Sequence, residues 1–414
     1  MLSVQEARQR ILSYFSPLES ELVPLEQAAG RALAAQICTT FDLPLFDNSS
    51  MDGFAVRAAD LADASRAHPL ALPVIGDIPA GTAPSLRVEA GQTARIMTGA
   101  PLPAGADAVV MVEDTDFNDH SAGALAPQTV SVYRAVETGE NVRKQGADLK
   151  SEQEILSAGR LLRAQDVGML AMLGVASVQV HRRPRVAILS TGDEILPVEL
   201  PLTPGKIHDT NSDTLTALAA QAGCEVIRLG VAADTGEAVR EKLDAALAAP
   251  LTGAGKADVI LSSAGVSVGA FDYVKEVVES GGALEFWKVN MRPGKPLAFG
   301  HYRGVPFFGL PGNPVSAFVG FLVFVEPAIR QLQGQGTVER PRVRTILGES
   351  LESDGRESYL RATVTLEDGR YVARFSSNQS SGNLFSLVEA NALVIIPAGV
   401  TSCPAGAEVD AWLL

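Results

Sequence analysis

The sequence predicts an α/β protein of several domains, some of them β-rich, and three observations carry that prediction. From Arg185 onward, strand-like apolar runs alternate with helix-like ones. Between Phe41 and about Lys150, short apolar runs are separated by turns rich in Pro, Gly, Ala, Asn and Asp. Between Asp258 and Ser316, three strand-like runs each empty into a loop of Gly, Pro and small polar residues. Strand–helix alternation builds a mostly parallel sheet covered on both faces. Period-two alternation broken by turn residues favours antiparallel strands. At 414 residues the chain exceeds one ordinary core, and roughly two to four domains are expected.

Taken in order, Ser3 and Glu6 form a capping box that opens a helix through VQEARQRILSYF. Residues 19–37 read as mostly helical again, giving a helical N-terminal arm. Residues 41–151 form a β-rich module, and residues 152–180 return to helical spacing. That order predicts a split N-terminal domain, 1–40 with 152–180, carrying an inserted β domain at 41–151. His181-Arg182-Arg183-Pro184 marks a boundary. Residues 181–335 hold the strands RVAILST, EVIRLGVA, DVILSSA, ALEFWKV and VPFFGL, with helices between and after them. Beyond Gln335 the pattern is strand-like. Asp368-Gly369 supplies a hairpin turn between YLRATVTL and YVARFS, so a small C-terminal β domain is expected at 336–414.

An apolar content of 46% with 20% charged residues is that of a soluble globular protein. The longest apolar run, Ala317 to Val325, is short for a membrane span. Glu6, Arg8 and Arg10 stand where a signal peptide needs apolar residues, which predicts a cytoplasmic protein. Cys38, Cys224 and Cys403 are far apart without a C-x-x-C pair, so free thiols are expected. A net charge of −14 disfavours nucleic-acid and anionic-membrane partners. Any anion site must be a local exception.

The three glycine loops predict such an exception. Without a Cβ, Gly lets backbone N–H groups converge on phosphate-like oxygens, and a helix beginning just afterwards adds its positive end. Gly265, Ser267 and Gly269 lie in the first loop, Lys288, Arg292 and Lys295 in or near the second, and Gly312 and Asn313 in the third. Neither a P-loop nor a Rossmann fingerprint is present. Pro293, Gly294 and Pro296 fix the loop around Arg292 and Lys295, which favours a site over a solvated face. Asp193 and Glu194 follow a strand, and fit either a solvated turn or a site for hydrated Mg²⁺. Asp272 caps the following helix or binds metal. Asp47 to Gly53 reads as an ordinary surface turn. Gly265-Val266-Ser267-Val268-Gly269 matches the nucleophile elbow of serine hydrolases, a remote alternative. The only histidine downstream is His301, in an expected HYRG turn, and no acid–His pair completes a triad.

The stretches FDNSSMDGFAV, RIMTGAPLPAGADAVVMVED, STGDEI, IHDTNS, SSAGVSVGAFDY, RPGKPLAFG and GLPGNPVSAF closely resemble the molybdopterin molybdotransferase family, the MoeA proteins and the E domain of gephyrin. The resemblance is dense from Phe41 to Arg330 and thinner beyond. It implies an elongated homodimer in which the α/β domain binds molybdopterin and the C-terminal domain is a β-barrel. It also implies a transferase of the last step of molybdenum cofactor biosynthesis. Such an enzyme takes adenylylated molybdopterin and molybdate, cleaves the phosphoanhydride with a divalent cation such as Mg²⁺, releases AMP and leaves molybdenum on the dithiolene. By resemblance, Glu194 and Asp272 hold the metal, and Asp52 and Asp234 join them as catalytic residues. Molybdate would meet Arg292, Lys295, Ser316, Arg361 and Ser381. Thr98, Asp148, Gly265, Ser267, Gly269, Lys288, Gly312 and Asn313 would bind the pterin nucleotide. Arg292 stands where the family often has Lys, which keeps the charge and changes the donor geometry. Asp52 and Thr98 are implied to act on the partner's cleft. Implied partners are a molybdopterin adenylyltransferase and the proteins that mature downstream molybdoenzymes. With Met1 opening the first helix, no adenylylating domain is expected ahead of it. A non-catalytic scaffold of the same fold, binding molybdopterin or peptides, is the alternative.

Overall fold

The computed structural model describes residues 1–117, 125–248, 256–263, 271–376 and 378–414, except for the side chains of Phe271, Asp272 and Phe286. The chain forms two compact units, Gln36–Ser157 and Met1–Ala35 with Ala158–Leu414.

In the unit Gln36–Ser157, five strands form a sheet in the order Ala108–Met111, Gly53–Val56, Thr93–Ile96, Leu70–Ile78, Thr129–Val132. All pairs are antiparallel except Leu70–Ile78 with Thr93–Ile96. Alternation along each strand feeds two cores: Phe54, Val56, Val110 and Val130 pack on one face, Ala55, Ile96, Ile78 and Val109 on the other. The pairing leaves no room at Gly53, where a Cβ would sit 1.9 Å from the Val110 carbonyl oxygen. The polar run Asp47–Gly53 is not an ordinary surface turn. Asn48 and Ser49 are buried in a short antiparallel pair with Val142–Arg143, where the backbone is paired, the Ser49 hydroxyl donates to Met51 O and Asn48 Nδ2 donates to Phe46 O.

The larger unit is built on a six-stranded sheet. Its order is Glu225–Ala232, Arg185–Thr191, Val259–Ser263, Val305–Gly309, Pro296–Tyr302, Gly282–Lys288. The first four strands run parallel, and the last two extend the sheet as antiparallel neighbours. Val186 and Ile188 face a core shared with the helices Val4–Leu12, Thr210–Gln221 and the rod Pro314–Leu332. Ala187 and Leu189 face the helices Gly236–Leu247 and Phe271–Gly281. Among the described residues, that rod is the one helix long and apolar enough to cross a bilayer by length and composition. Here it is 83% buried as the central core helix, with a π-helical turn at Phe321–Val325.

Residues 19–37 are not mostly helical. Ser20–Pro24 is a strand pairing antiparallel with Ser177–His181, followed by one 3₁₀ turn at Leu25–Gln27. Pro17 and Pro24 withhold the N–H groups a helix needs, and strand pairing overrides the alanine-rich pattern. Within 152–180, only Ala164–Met172 is helical. The capping box at Ser3 and Glu6 forms, but its helix ends at Leu12, where the Ser13 hydroxyl donates to Arg10 O at 2.7 Å. His301 lies in the strand Pro296–Tyr302, and the turn follows it at Arg303-Gly304.

The C-terminal strands close a five-stranded barrel: Glu357–Glu367, Arg370–Phe375, Val343–Leu347, Glu408–Leu413 and Ala392–Ile396, which pairs back with the first. Leu360, Ala362, Val394 and Val409 fill it. Asp368 and Gly369 both take positive φ, 47° and 76°, as a two-residue hairpin turn requires. Met291–Arg292 adds itself in parallel to Glu357–Ser358, which stitches the second glycine loop to the barrel.

Gly53→Ala is expected to destabilise the chain by about 1–3 kcal/mol through backbone collision. Gly168→Ala, in a helix where an added Cβ meets nothing within 4 Å, should stabilise by about 0.5–1 kcal/mol. Denaturant unfolding of both variants checks the pair of opposite signs.

Candidate active site

A cavity of about 690 Å³ opens at the carboxyl ends of the parallel strands, where open α/β sheets place their ligands. Its floor is a buried polar hub. Ser190, at the end of one strand, brings its hydroxyl to Asp209 Oδ1 at 3.0 Å, to Ser212 Oγ at 2.7 Å and to Ser263 Oγ, on the adjacent strand, at 2.9 Å. Asp209 also caps the helix Thr210–Gln221, accepting from Ser212 N–H at 3.0 Å. The hub thereby fixes two strand ends and a helix start. Thr191 Oγ1 and Asn211 Oδ1, on residues lining the cavity, are buried without a hydrogen-bond partner among the described residues.

Glu194 reaches the same cavity from the turn after Thr191. Gly192 has φ 137°, and a Cβ there would sit 2.9 Å from Glu194 Oε2, so glycine lets the carboxylate fold back over the turn. Asp193 and Asp234 tie this turn to the next strand end. Asp193 N–H donates to Asp234 Oδ2 at 3.1 Å, and Asp234 N–H to Asp193 Oδ1 at 3.3 Å. Asp234 Oδ1 is buried and has no partner among the described residues. Among the described residues, no three His, Cys, Asp or Glu side chains form a ready metal cluster. Asp272 is the second residue of the helix Phe271–Gly281, and its side chain is outside the described set. Gly265, Ser267 and Gly269, and with them the G-x-S-x-G motif, lie outside the described residues.

A cationic group stands where the second glycine loop meets the barrel. Arg361 is 1% exposed, and no carboxylate among the described residues pairs with it. Its guanidinium donates to Ser386 Oγ at 3.0 Å, Ser380 O at 3.1 Å and Asn378 O at 3.2 Å, all neutral acceptors. Burial, and then the like charge of Arg292, pull its pKa down to about 10. Arg292 itself is half-exposed, with Asp354 at a distant 3.9 Å. Gly294 lies against the rod, its Cβ position 3.5 Å from Ser316 O. Ser316 is buried in that rod's first turns. Lys295 and Lys288 are exposed, each without an ion pair among the described residues. In the third loop, Gly312 accepts from Asn211 Nδ2 at 2.8 Å, and Asn313 donates to Ser381 Oγ at 3.0 Å. Gly312 and Asn313 line the cavity.

The unit Gln36–Ser157 carries a separate acidic set. Asp52 Oδ1 accepts from Thr98 N–H at 2.7 Å and from Thr98 Oγ1 at 2.8 Å. Those two bonds, the backbone one first, hold its carboxyl below the usual aspartate range. Asp148 is exposed and paired with Arg143 at 2.6 Å.

The family model for the MoeA N-terminal region (domain I and II) matches residues 2–174, that for a probable molybdopterin binding domain matches 187–331, and that for the MoeA C-terminal region (domain IV) matches 344–414. A curated relative from a Nostoc species, molybdopterin molybdenumtransferase, is 39% identical over 99% of this chain and 93% of its own. The chain belongs to the MoeA family. The molybdopterin molybdenumtransferase of Bacillus subtilis is 36% identical, over 100% of this chain and 94% of its own. Among solved structures, the molybdopterin biosynthesis moeA protein of Pyrococcus horikoshii OT3 matches all of both chains with a TM-score of 0.81 and 32% identity. A molybdenum cofactor biosynthesis protein of Pyrococcus furiosus, 22% identical, shares the fold with a TM-score of 0.60.

Within this MoeA-family chain, sequence reasoning quoted the stretch IHDTNS but assigned nothing to it. Asp209, Asn211 and Ser212 turn out to organise the cavity floor with Ser190 and Ser263. The spacing of Asp209 to Ser212 is a helix N-cap signal, and it was the one local cue available. Nothing local indicates that Ser190 and Ser263 meet, because that contact depends on strand register.

Proposed function

We propose that this MoeA-family transferase completes molybdenum cofactor synthesis by moving molybdenum from molybdate onto molybdopterin delivered as its adenylyl derivative. The observation that carries the reading is the buried, carboxylate-free Arg361 beside Arg292. Molybdate is a dianion that docks beside an already anionic pterin in a protein of net charge −14, so it needs concentrated local cations. Two unit charges about 4 Å apart interact by about 4 kcal/mol at an effective dielectric near 20, so each nearby guanidinium can offset part of that repulsion. In this reading Arg292, Lys295, Ser316, Arg361 and Ser381 receive the oxyanion. The glycine loops, with Lys288 and Gly312, receive the pterin phosphates.

The acidic edge of the cavity suits a hard divalent cation such as Mg²⁺. Among the described residues, Asp234 keeps a buried carboxylate oxygen without a partner, and Glu194 lines the cavity with no ion pair. When bound, the cation would neutralise phosphoanhydride charge during release of AMP. Glu194 and Asp234, joined by Asp272, would hold it. Asp193 keeps Asp234 oriented through their reciprocal backbone bonds.

Asp52 and Thr98, with Asp148, are assigned to the cleft of a second copy in a homodimer. Support comes from the depressed carboxyl of Asp52, which stays ionised and able to orient water or metal, and from its exposure in a unit with its own core. A molybdopterin adenylyltransferase would supply the substrate, and maturation proteins of molybdoenzymes would take the product.

The wild-type chain should release AMP from adenylylated molybdopterin when molybdate is present. Arg292→Ala should need at least about tenfold more molybdate for half-maximal turnover, with a much smaller change for the pterin nucleotide. Absence of AMP release from the folded wild type refutes the transferase reading. An equal loss for both substrates turns the loop into a phosphate clamp.

Shared clefts make a separate prediction. Asp52→Ala and Glu194→Ala proteins should each be inactive and should regain up to about a quarter of wild-type turnover after subunit exchange, since mixed dimers hold one intact cleft. A mixture as inactive as either parent contradicts the assignment.

A further inference from the structure

Hydrogen bonds run from the floor of the cavity to the barrel. Asn211, 8% exposed and the second residue of the helix that Asp209 caps, donates from Nδ2 to Gly312 O at 2.8 Å. The next residue, Asn313, donates from Nδ2 to Ser381 Oγ at 3.0 Å. Val315 N–H then donates to Ser381 O at 3.1 Å. One residue before, Ser380 O accepts from Arg361 Nη2 at 3.1 Å. The segment that carries Ser381 has no strand or helix of its own to hold it, so these bonds fix where its hydroxyl stands.

The direction of the Asn313 bond matters chemically. A serine hydroxyl has one hydrogen to donate and two lone pairs to accept with. Because Asn313 is the donor, it occupies a lone pair of Ser381 Oγ and leaves the hydroxyl hydrogen free for an acceptor. An oxyanion held by a guanidinium on the neighbouring segment is such an acceptor.

We propose that Asn313, seated by Asn211 through Gly312, is a positioning residue for the oxyanion half of the site: it turns the Ser381 hydroxyl so that it donates to the same anion as Arg361. This rests on the transferase reading above, and it assigns Asn313 to act through Ser381 instead of on the pterin nucleotide. Asn211 acts one step further back, by placing the Gly312–Asn313 peptide.

The test is a double-mutant cycle on the full-length protein, read as half-saturating concentrations of molybdate and of adenylylated molybdopterin. Asn313→Ala should raise the molybdate value about tenfold, the effect of one hydrogen bond to a charged group, and leave the pterin value within about twofold. Asn313→Asp should do worse than Asn313→Ala, since a carboxylate accepts the Ser381 proton and turns it away from the anion. In a Ser381→Ala background, Asn313→Ala should add less than about twofold, because its target is gone. Asn211→Ala should move the molybdate value in the same direction by a smaller factor. Asn313 is exposed, so folding is not at stake, and thermal unfolding of each variant verifies that. Equal rises for both substrates, or effects of Asn313→Ala and Ser381→Ala that simply multiply, overturn the proposal. A wild type without molybdate-dependent turnover refutes the transferase reading instead. The same cycle is then read from calorimetric binding of molybdate alone, where additive effects again overturn the relay.

Discussion

A guanidinium taken out of water without a carboxylate beside it is among the costlier things a fold can hold, and the architecture around Arg361 is organised to hold one. Three neutral oxygens accept from its Nε and Nη2, and none neutralises its charge. The like charge of Arg292 raises the cost further. In the proposed reading an anion completes this site, because binding one repays the desolvation already incurred. Arg292 is brought there by backbone pairing of its strand with the barrel, so the cation pair depends on how the second glycine loop is stitched to the C-terminal domain.

The other half of the site depends on the sheet. Parallel strands ending side by side leave Ser190 and Ser263 adjacent, and the capped helix beside them adds Asp209 and Ser212. Every hydroxyl in that hub has a partner within it, which makes the floor rigid. Among the described residues, Thr191 Oγ1, Asn211 Oδ1 and Asp234 Oδ1 around it are buried and unpaired. Leaving a buried polar atom unpaired costs about 1–3 kcal/mol, so such atoms are expected where a ligand completes them. The division between a satisfied floor and an unsatisfied wall separates the residues that hold the cavity from those available to a substrate.

Much of this was legible in the residues. The strand–helix alternation after Arg185, the capping box at Ser3 and the Asp368-Gly369 turn are local signals, and local physics decides them. The third glycine loop was legible as a run of small residues at a strand end, and its Gly312 and Asn313 line the cavity. The helical reading of residues 19–37 failed because Ser20–Pro24 finds its partner strand more than a hundred residues away, at Ser177–His181. The burial of Asn48 and Ser49 and the meeting of Ser190 with Ser263 were likewise hidden, since each is set by strand register rather than by its own neighbours. Arg361 was named only through the family resemblance. That no carboxylate among the described residues pairs with it depends on how the barrel packs.

The most direct measurement of the central claim is a crystal soaked with tungstate, whose anomalous scattering locates a tetrahedral dianion without ambiguity. The account predicts one strong peak within hydrogen-bond distance of the Arg292 and Arg361 guanidiniums and the Ser381 hydroxyl, absent from an Arg361→Met crystal treated in the same way. A peak at the glycine loops alone, or one that persists unchanged in Arg361→Met, would contradict it.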